Sequence, residues 1–175
     1  MSLPGLTGRV PARTEPVRLR PTAEEDLAFV MDAERHEENS PFVVWWARDR
    51  HQDTLSNEDQ AHLILERTED ARAVGYVILA GLANVDASIE FLRIVVTEKG
   101  RGYGRAALRL VKKLAFEELG AHRLWLDVKE YNHRARRAYE SEGFVVEGTL
   151  RECLKAGDAF ESLVVMSILE SEHRA

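Results

Sequence analysis

Apolar positions along this chain change their spacing several times, and each change marks a new kind of element. Residues 61–67, 73–82 and 88–96 are short runs rich in valine, isoleucine and leucine, which predict strands. TEDAR (68–72) and ANVDA (83–87) connect them so briefly that an antiparallel meander is the economical arrangement. The spacing then lengthens: Ala107, Leu110, Val111, Leu114, Ala115 and Leu119 form one helical stripe, and Gly120 stops it. HRLWLDV (122–128) is again a strand, and a crossover helix makes it a parallel neighbour of 88–96. NHRARRAYESEG predicts a second helix between a capping Asn132 and a stopping Gly143. Residues 144–153 and 160–169 close the chain as a hairpin turning near KAGDA.

The first third is less regular. VRLR (17–20) is a short strand. Residues 21–38 predict a helix with Thr22 as its cap and Glu25 reaching back; Leu27, Val30, Met31 and Glu34 fall at helical spacing, so the apolar face is narrow. Residues 39–60 predict a loop with one short helical piece, broken from the preceding helix at Pro41. Residues 1–16 hold three of the five prolines and read as a flexible arm, and 170–175 read as a tail. The expected fold is a single α/β domain over 17–169. It has a mixed, mostly antiparallel sheet of about seven strands flanked by helices.

Composition narrows the function. A chain of 175 residues buries one sizeable core. A net charge of −6 lacks the basic footprint of nucleic-acid binding. No stretch has the length of a membrane span, so a soluble, cytoplasmic protein is expected. One cysteine excludes an internal disulfide framework, and Cys153 is expected to be a small buried hydrophobe. The six histidines show no metal-ligand spacing, so no metal is expected. The acidic run from Glu24 to Glu38 is expected to be a solvated helix face, with attraction of a cationic acceptor as the other reading.

The segment RIVVTEKGRGYGRAALRLVKKLAFEELG (93–120) carries the candidate chemistry. Glycines between a strand and a helix let backbone N–H groups approach a phosphate at the positive end of the helix. The turn has no G-x-x-x-x-G-K-[ST] pattern, which excludes a Walker-type nucleotide site. Gly102, Gly104 and Ala107 do satisfy the dinucleotide fingerprint G-x-G-x-x-A, with Asp127 near the place of a ribose-binding acid. That reading needs several consecutive parallel units, and one crossover is too few; it ranks second.

Two separated motifs resemble the GNAT superfamily of acetyl-CoA-dependent N-acetyltransferases. The pyrophosphate loop of that family, [Q/R]-x-x-G-x-[G/A], corresponds to Lys99-Gly100-Arg101-Gly102-Tyr103-Gly104, with lysine as a departure in the first place. The later family pattern appears as Asn132, Ala135, Tyr139 and Gly143-Phe144. AFEELGAHRLWLDV and EGTLRE look most like the branch containing ribosomal-protein N-terminal acetyltransferases. The resemblance covers roughly Val17 to Leu169.

It implies acetyl transfer from acetyl-CoA to a primary amine on a small molecule, a polyamine or a protein N-terminus. Homodimers, common in that family, are a possible assembly, while charge, histidine spacing and the lack of an apolar span argue against a nucleic-acid partner, a metal and a membrane partner. Backbone groups over Gly100, Arg101, Gly102, Tyr103, Gly104 and Arg105, with Lys99, would hold the diphosphate. A backbone N–H near Ile94, Val95 or Val96 would meet the oxyanion. Asn132 either places the pantetheine arm or serves only as an N-cap. Tyr139 either protonates the leaving thiolate or packs. Glu90, the acid within strand 88–96, is the candidate base, against a reading as an arginine partner or a solvated side chain. Strict alternation sets it with Ser88, Leu92 and Ile94 unless a bulge intervenes. Of Trp45 and Trp46, one should pack and one lie exposed. A non-catalytic acyl-CoA sensor on the same fold is the other non-redox reading.

Overall fold

The computed structural model describes residues 15–174. Seven strands form one sheet in the order β1-β2-β3-β4-β5-β7-β6. They are β1 (Val17–Pro21), β2 (Gln60–Arg67), β3 (Ala73–Ala80), β4 (Ser88–Val96), β5 (Arg123–Lys129), β6 (Val145–Ala156) and β7 (Ala159–Leu169). Every pairing is antiparallel except β4 with β5. The meander, the crossover and the terminal hairpin are as the periodicities predict. A single parallel pair removes the dinucleotide-binding alternative, whose sheet is built from repeated parallel units.

Helices cover both faces. α1 (Leu27–Arg35) and α2 (Arg48–Ser56) lie on one side; α3 (Tyr103–Lys113) and α4 (His133–Ser141) lie on the other. β2 and β3 are therefore buried on both faces. Leu63, Val77 and Leu79 pack toward α3, while Ile64, Tyr76 and Ile78 pack toward α1. The residues beyond Lys113 continue as a π-helical turn over Leu114–Glu118, with Leu119 N–H donating to the Leu114 carbonyl.

Two irregularities position the site. Ile78 pairs with Arg93 and Ala80 with Glu90, so two steps along β3 oppose three along β4. The extra residue is a bulge, and it reverses the alternation expected for β4. Ile89, Phe91 and Ile94 all face the α3 side, whereas Leu92 and Val95 pack on the α1 side and Arg93 meets Glu34 of α1 there. The second irregularity is the parting of β4 and β5. They pair only at Ser88–Arg123, Ile89–Leu124 and Glu90–Trp125. Beyond those pairs each strand has a free edge, and the sheet opens.

Several local expectations change. Thr22 does not cap the first helix; its hydroxyl lies 2.9 Å from His62 Nδ1, and Asp26 accepts the Ala23 N–H instead. Residues 170–173 are a short helical turn, α5 (Glu170–His173), with His173 stacked on Phe116. Cys153 is exposed on β6, an edge strand most of whose residues are exposed. Of the expected arm, residues 1–14 lie outside the described residues, and Glu15 is paired with Arg109 at 2.7 Å. No helix among the described residues is long and apolar enough to cross a membrane.

Candidate active site

The opening between β4 and β5 leads into a cavity of about 880 Å³ that reaches both faces of the sheet. Its α3–α4 half includes the glycine turn that starts α3. Gly102 sits at the N-cap of α3 with φ 79°, a left-handed conformation that favours glycine. No side chain caps the helix, so the first-turn amides of Tyr103, Gly104 and Arg105 have no intrahelical acceptor and face the cavity. Gly104 has no positive φ, and a Cβ there would meet no protein atom within 4 Å. Neither backbone conformation nor protein packing requires glycine at that position. The space a Cβ would fill lies beside the amides, which suits close approach of a diphosphate.

Cationic side chains surround this half. Lys99 donates to Asn39 Oδ1; burial, then the nearby Arg134 charge, lowers its pKa. A second lysine-sized cation held near an arginine is relieved by an anion between them. Asn132 accepts the Ala135 N–H at 3.2 Å and also lines the cavity, so its capping and cavity-facing roles coexist. The residues present fit a coenzyme diphosphate.

At the opening stand Tyr139 and Asp127. The Tyr139 ring is buried, lies 5.8 Å from Phe144 and lines the cavity. Burial, then the charge of Asp127, pushes its phenol well above the usual value, so it stays protonated and can donate. Asp127 also lines the cavity, and desolvation raises its carboxyl above the usual range. Glu90 sits on the same sheet face in the neighbouring strand, half-buried, raised first by burial and then by Asp127. It does not line the cavity.

The α1–α2 half is built from side chains of distant segments. Phe42, Val43, Val44, Trp46 and Arg50 come from the stretch the periodicity leaves unassigned. Trp46 is 5% exposed and on the wall; Trp45 is 45% exposed and off it, as expected for neighbours that divide packing and exposure. Behind the wall lies Glu34, 1% exposed. It accepts from the Tyr76 hydroxyl at 2.5 Å, the Trp46 backbone N–H at 2.9 Å and Arg93 Nη1, with His51 Nε2 at 3.3 Å. Burial alone would raise its pKa; these donors outweigh burial and hold it at about 2. The acidic run is thus not one solvated face, since Glu34 is internal and Glu38 lines the cavity.

Of the residues singled out from sequence, Ile94, Val96, Lys99, Gly100, Gly102, Tyr103, Gly104, Arg105, Asn132 and Tyr139 converge on the cavity. Val95 is buried under α1, Arg101 is exposed away from the wall, and Glu90 lies beside Asp127. Sequence reasoning missed Asp127 as a cavity acid, although a carboxylate closing the apolar alternation of β5 was a usable signal. Glu34, at apolar helical spacing, was another. Arg50 carried no signal. Among the described residues no cluster of histidine, cysteine and carboxylates has the arrangement of a metal site.

The acetyltransferase (GNAT) family matches residues 26–144. An uncharacterised N-acetyltransferase of Mycobacterium tuberculosis is 36% identical over 92 residues, 52% of this chain and 58% of that protein. The match thus spans little more than half the length of that relative. A spermidine N(1)-acetyltransferase of Vibrio cholerae is 32% identical over 108 residues, 60% of this chain and 62% of that protein. The crystal structure of a Vibrio cholerae spermidine N-acetyltransferase in complex with CoA and spermine superposes with a TM-score of 0.81 at 22% identity. It covers 91% of this chain and 99% of that one.

Proposed function

Because the chain belongs to the acetyltransferase (GNAT) family, we propose that it transfers the acetyl group of acetyl-CoA directly to a primary amine. One observation carries this reading. A single cavity joins the free amides at the start of α3 to a carboxylate and a protonated phenol at the parting of β4 and β5. The α3 amides, Lys99 and Arg134 hold the diphosphate, and a free backbone N–H of β4 near Ile94 to Val96 meets the thioester oxygen. A dinucleotide would meet the same amides, but the fold offers it no repeated parallel units.

Asp127 attracts the ammonium of the acceptor and accepts its proton, with Glu90 behind it as the second carboxylate. The freed amine attacks the thioester carbonyl to form the C–N bond, the C–S bond breaks, and the nitrogen's second proton passes to the departing sulfur, which leaves toward the Tyr139 hydroxyl as the free thiol. Because the phenol is raised, Tyr139 serves first as a hydrogen-bond donor to that sulfur. The need for a base depends on the acceptor. At pH 7 an alkylamine of pKa ~10.4 is free in only about one molecule in 2,500, an α-amine of pKa ~7.8 in about one in seven.

Acceptors within this reading are polyamines, suggested by the spermidine-acetylating relatives, and protein N-termini, suggested by the branch resemblance. The protein is read as cytoplasmic, and a homodimer is compatible with the exposed β6. Incubation with acetyl-CoA and an amine panel tests the reading, with free thiol and acetylated amine both measured. Stoichiometric release of both is expected. Acetyl-CoA binding without turnover on any amine would leave the acyl-CoA sensor.

A further inference from the structure

The α1–α2 half of the cavity contains a cation with no carboxylate partner among the described residues. The Arg50 guanidinium lies 3.7 Å from the centre of the Trp46 ring, and that of Arg93 lies 4.0 Å from it. Two guanidinium groups so close to one ring centre cannot share a face, so the indole lies between them. The inner end of this stack is fixed. Arg93 and the Trp46 backbone N–H both donate to buried Glu34, which neutralises Arg93. Elsewhere on the wall, Lys129 pairs with Glu161 at 2.9 Å, and the charge of Glu38 faces Lys99. Arg50 lines the cavity with no carboxylate partner among the described residues.

We propose that Arg50, held over the Trp46 ring, is a subsite for an oxyanion, so that the acceptor amine also bears a carboxylate or a phosphate. Its contact is with the ring, and no hydrogen bond or ion pair among the described residues uses its guanidinium N–H donors, whose fork can give two parallel hydrogen bonds to an oxyanion. Asp127 supplies the complementary negative group for the ammonium. The two together match a zwitterion. A diamine that reached both would set its second ammonium against Arg50. This inference rests on the acetyl-transfer reading and narrows its acceptor.

Initial rates with aminocarboxylates of increasing chain length, their amides, aminoalkyl phosphates and diamines test it, with free thiol as the readout. At the best length the oxyanion-bearing acceptor is expected to exceed its neutral amide by about tenfold or more in kcat/KM, mostly through KM. In Arg50→Gln that ratio should fall toward one; the carboxylate and phosphate arms identify the oxyanion. Amides or diamines used as well as oxyanion acceptors by the unaltered protein, or a ratio unchanged in Arg50→Gln, overturns the proposal. Equilibrium titration with N-acetylated aminocarboxylates and aminoalkyl phosphates needs no turnover. About tenfold weaker binding in Arg50→Gln is expected; equal affinity, or none in either protein, overturns it. Arg50-dependent binding without thiol release from any acceptor would instead count against acetyl transfer. Arg50 is exposed, so the substitution leaves the core intact.

Discussion

The two halves of the cavity are made by different means. On the α3–α4 side one contiguous turn, residues 99–105, contributes six of the lining residues, and its part works through backbone amides that any sequence carries. On the α1–α2 side, the surface is assembled from Trp46, Arg50, Arg93 and Asp127, side chains that meet only when the sheet and helices have formed. The first half tolerates changes of side chain and is sensitive to bulk. The second is sensitive to the identity of single groups. The same turn can therefore serve one phosphate ligand while the opposite wall is refitted to different acceptors.

The strongest test of that contrast is a side-chain change at the parting of the strands. Asp127→Asn keeps shape and removes the base, so kcat should fall by about 10²–10⁴ with acetyl-CoA affinity nearly unchanged. Steady-state rates and cofactor titration check both parts. The fall should be larger for alkylamine acceptors than for α-amines, because fewer alkylamines are free at neutral pH. An equal loss in Glu90→Gln, with Asp127→Asn inert, would transfer the role to Glu90.

Next in size is the anchor of the acceptor wall. Glu34→Ala leaves Arg93 and the Tyr76 hydroxyl buried without their acceptor, and should cost about 3–5 kcal/mol of stability in urea denaturation. No single side-chain deletion in the turn should approach that. Gly104→Val is its counterpart in the cofactor half. Its side chain meets no protein atom near the backbone, so folding should survive while acetyl-CoA binding weakens by about 1.5–3 kcal/mol through lost amide contacts. Gly104→Ala should separate the two effects further, raising helix stability by about 0.5–1 kcal/mol while still weakening the cofactor.

The last test is one of pH. Burial, then the His51 charge, holds His62 neutral with a pKa of about 3, whereas the unfolded imidazole titrates near 6.5. Between those values the unfolded chain binds the extra proton, so stability falls as pH falls. One proton gives a slope of about 1.4 kcal/mol per pH unit. Replacing His62 with glutamine should flatten the stability–pH curve over that window. Glu34, depressed to about 2, acts in the same direction below the unfolded carboxylate pKa, its contribution being lost as pH falls toward 2.

The same division explains what was legible in the sequence. Strand order, the crossover and the glycine turn follow from local periodicity and short connections, and all seven strands stand where the spacing predicts. Lys99 to Arg105, Asn132 and Tyr139 reach the cavity apart from Arg101, because each belongs to a contiguous motif. The acceptor wall was not legible. The β4 bulge reverses a face without any local signature, and Arg93 reaches Glu34 across 59 residues of chain. Asp127 was visible as an acid ending β5, but its proximity to Tyr139 depends on the strands parting. Cys153, expected inside, is outside because it lies on the edge strand β6, most of whose residues are exposed.

The central claim is that amides between residues 99 and 105 grip the diphosphate of acetyl-CoA. Amide chemical shifts of the isotope-labelled protein, followed during titration with acetyl-CoA and separately with NAD, test it directly. The account predicts saturable displacement of the Gly100, Gly102, Gly104 and Arg105 amides by acetyl-CoA, and little by NAD. If those four amides stay still while acetyl-CoA binds elsewhere, or if only NAD moves them, the account is contradicted.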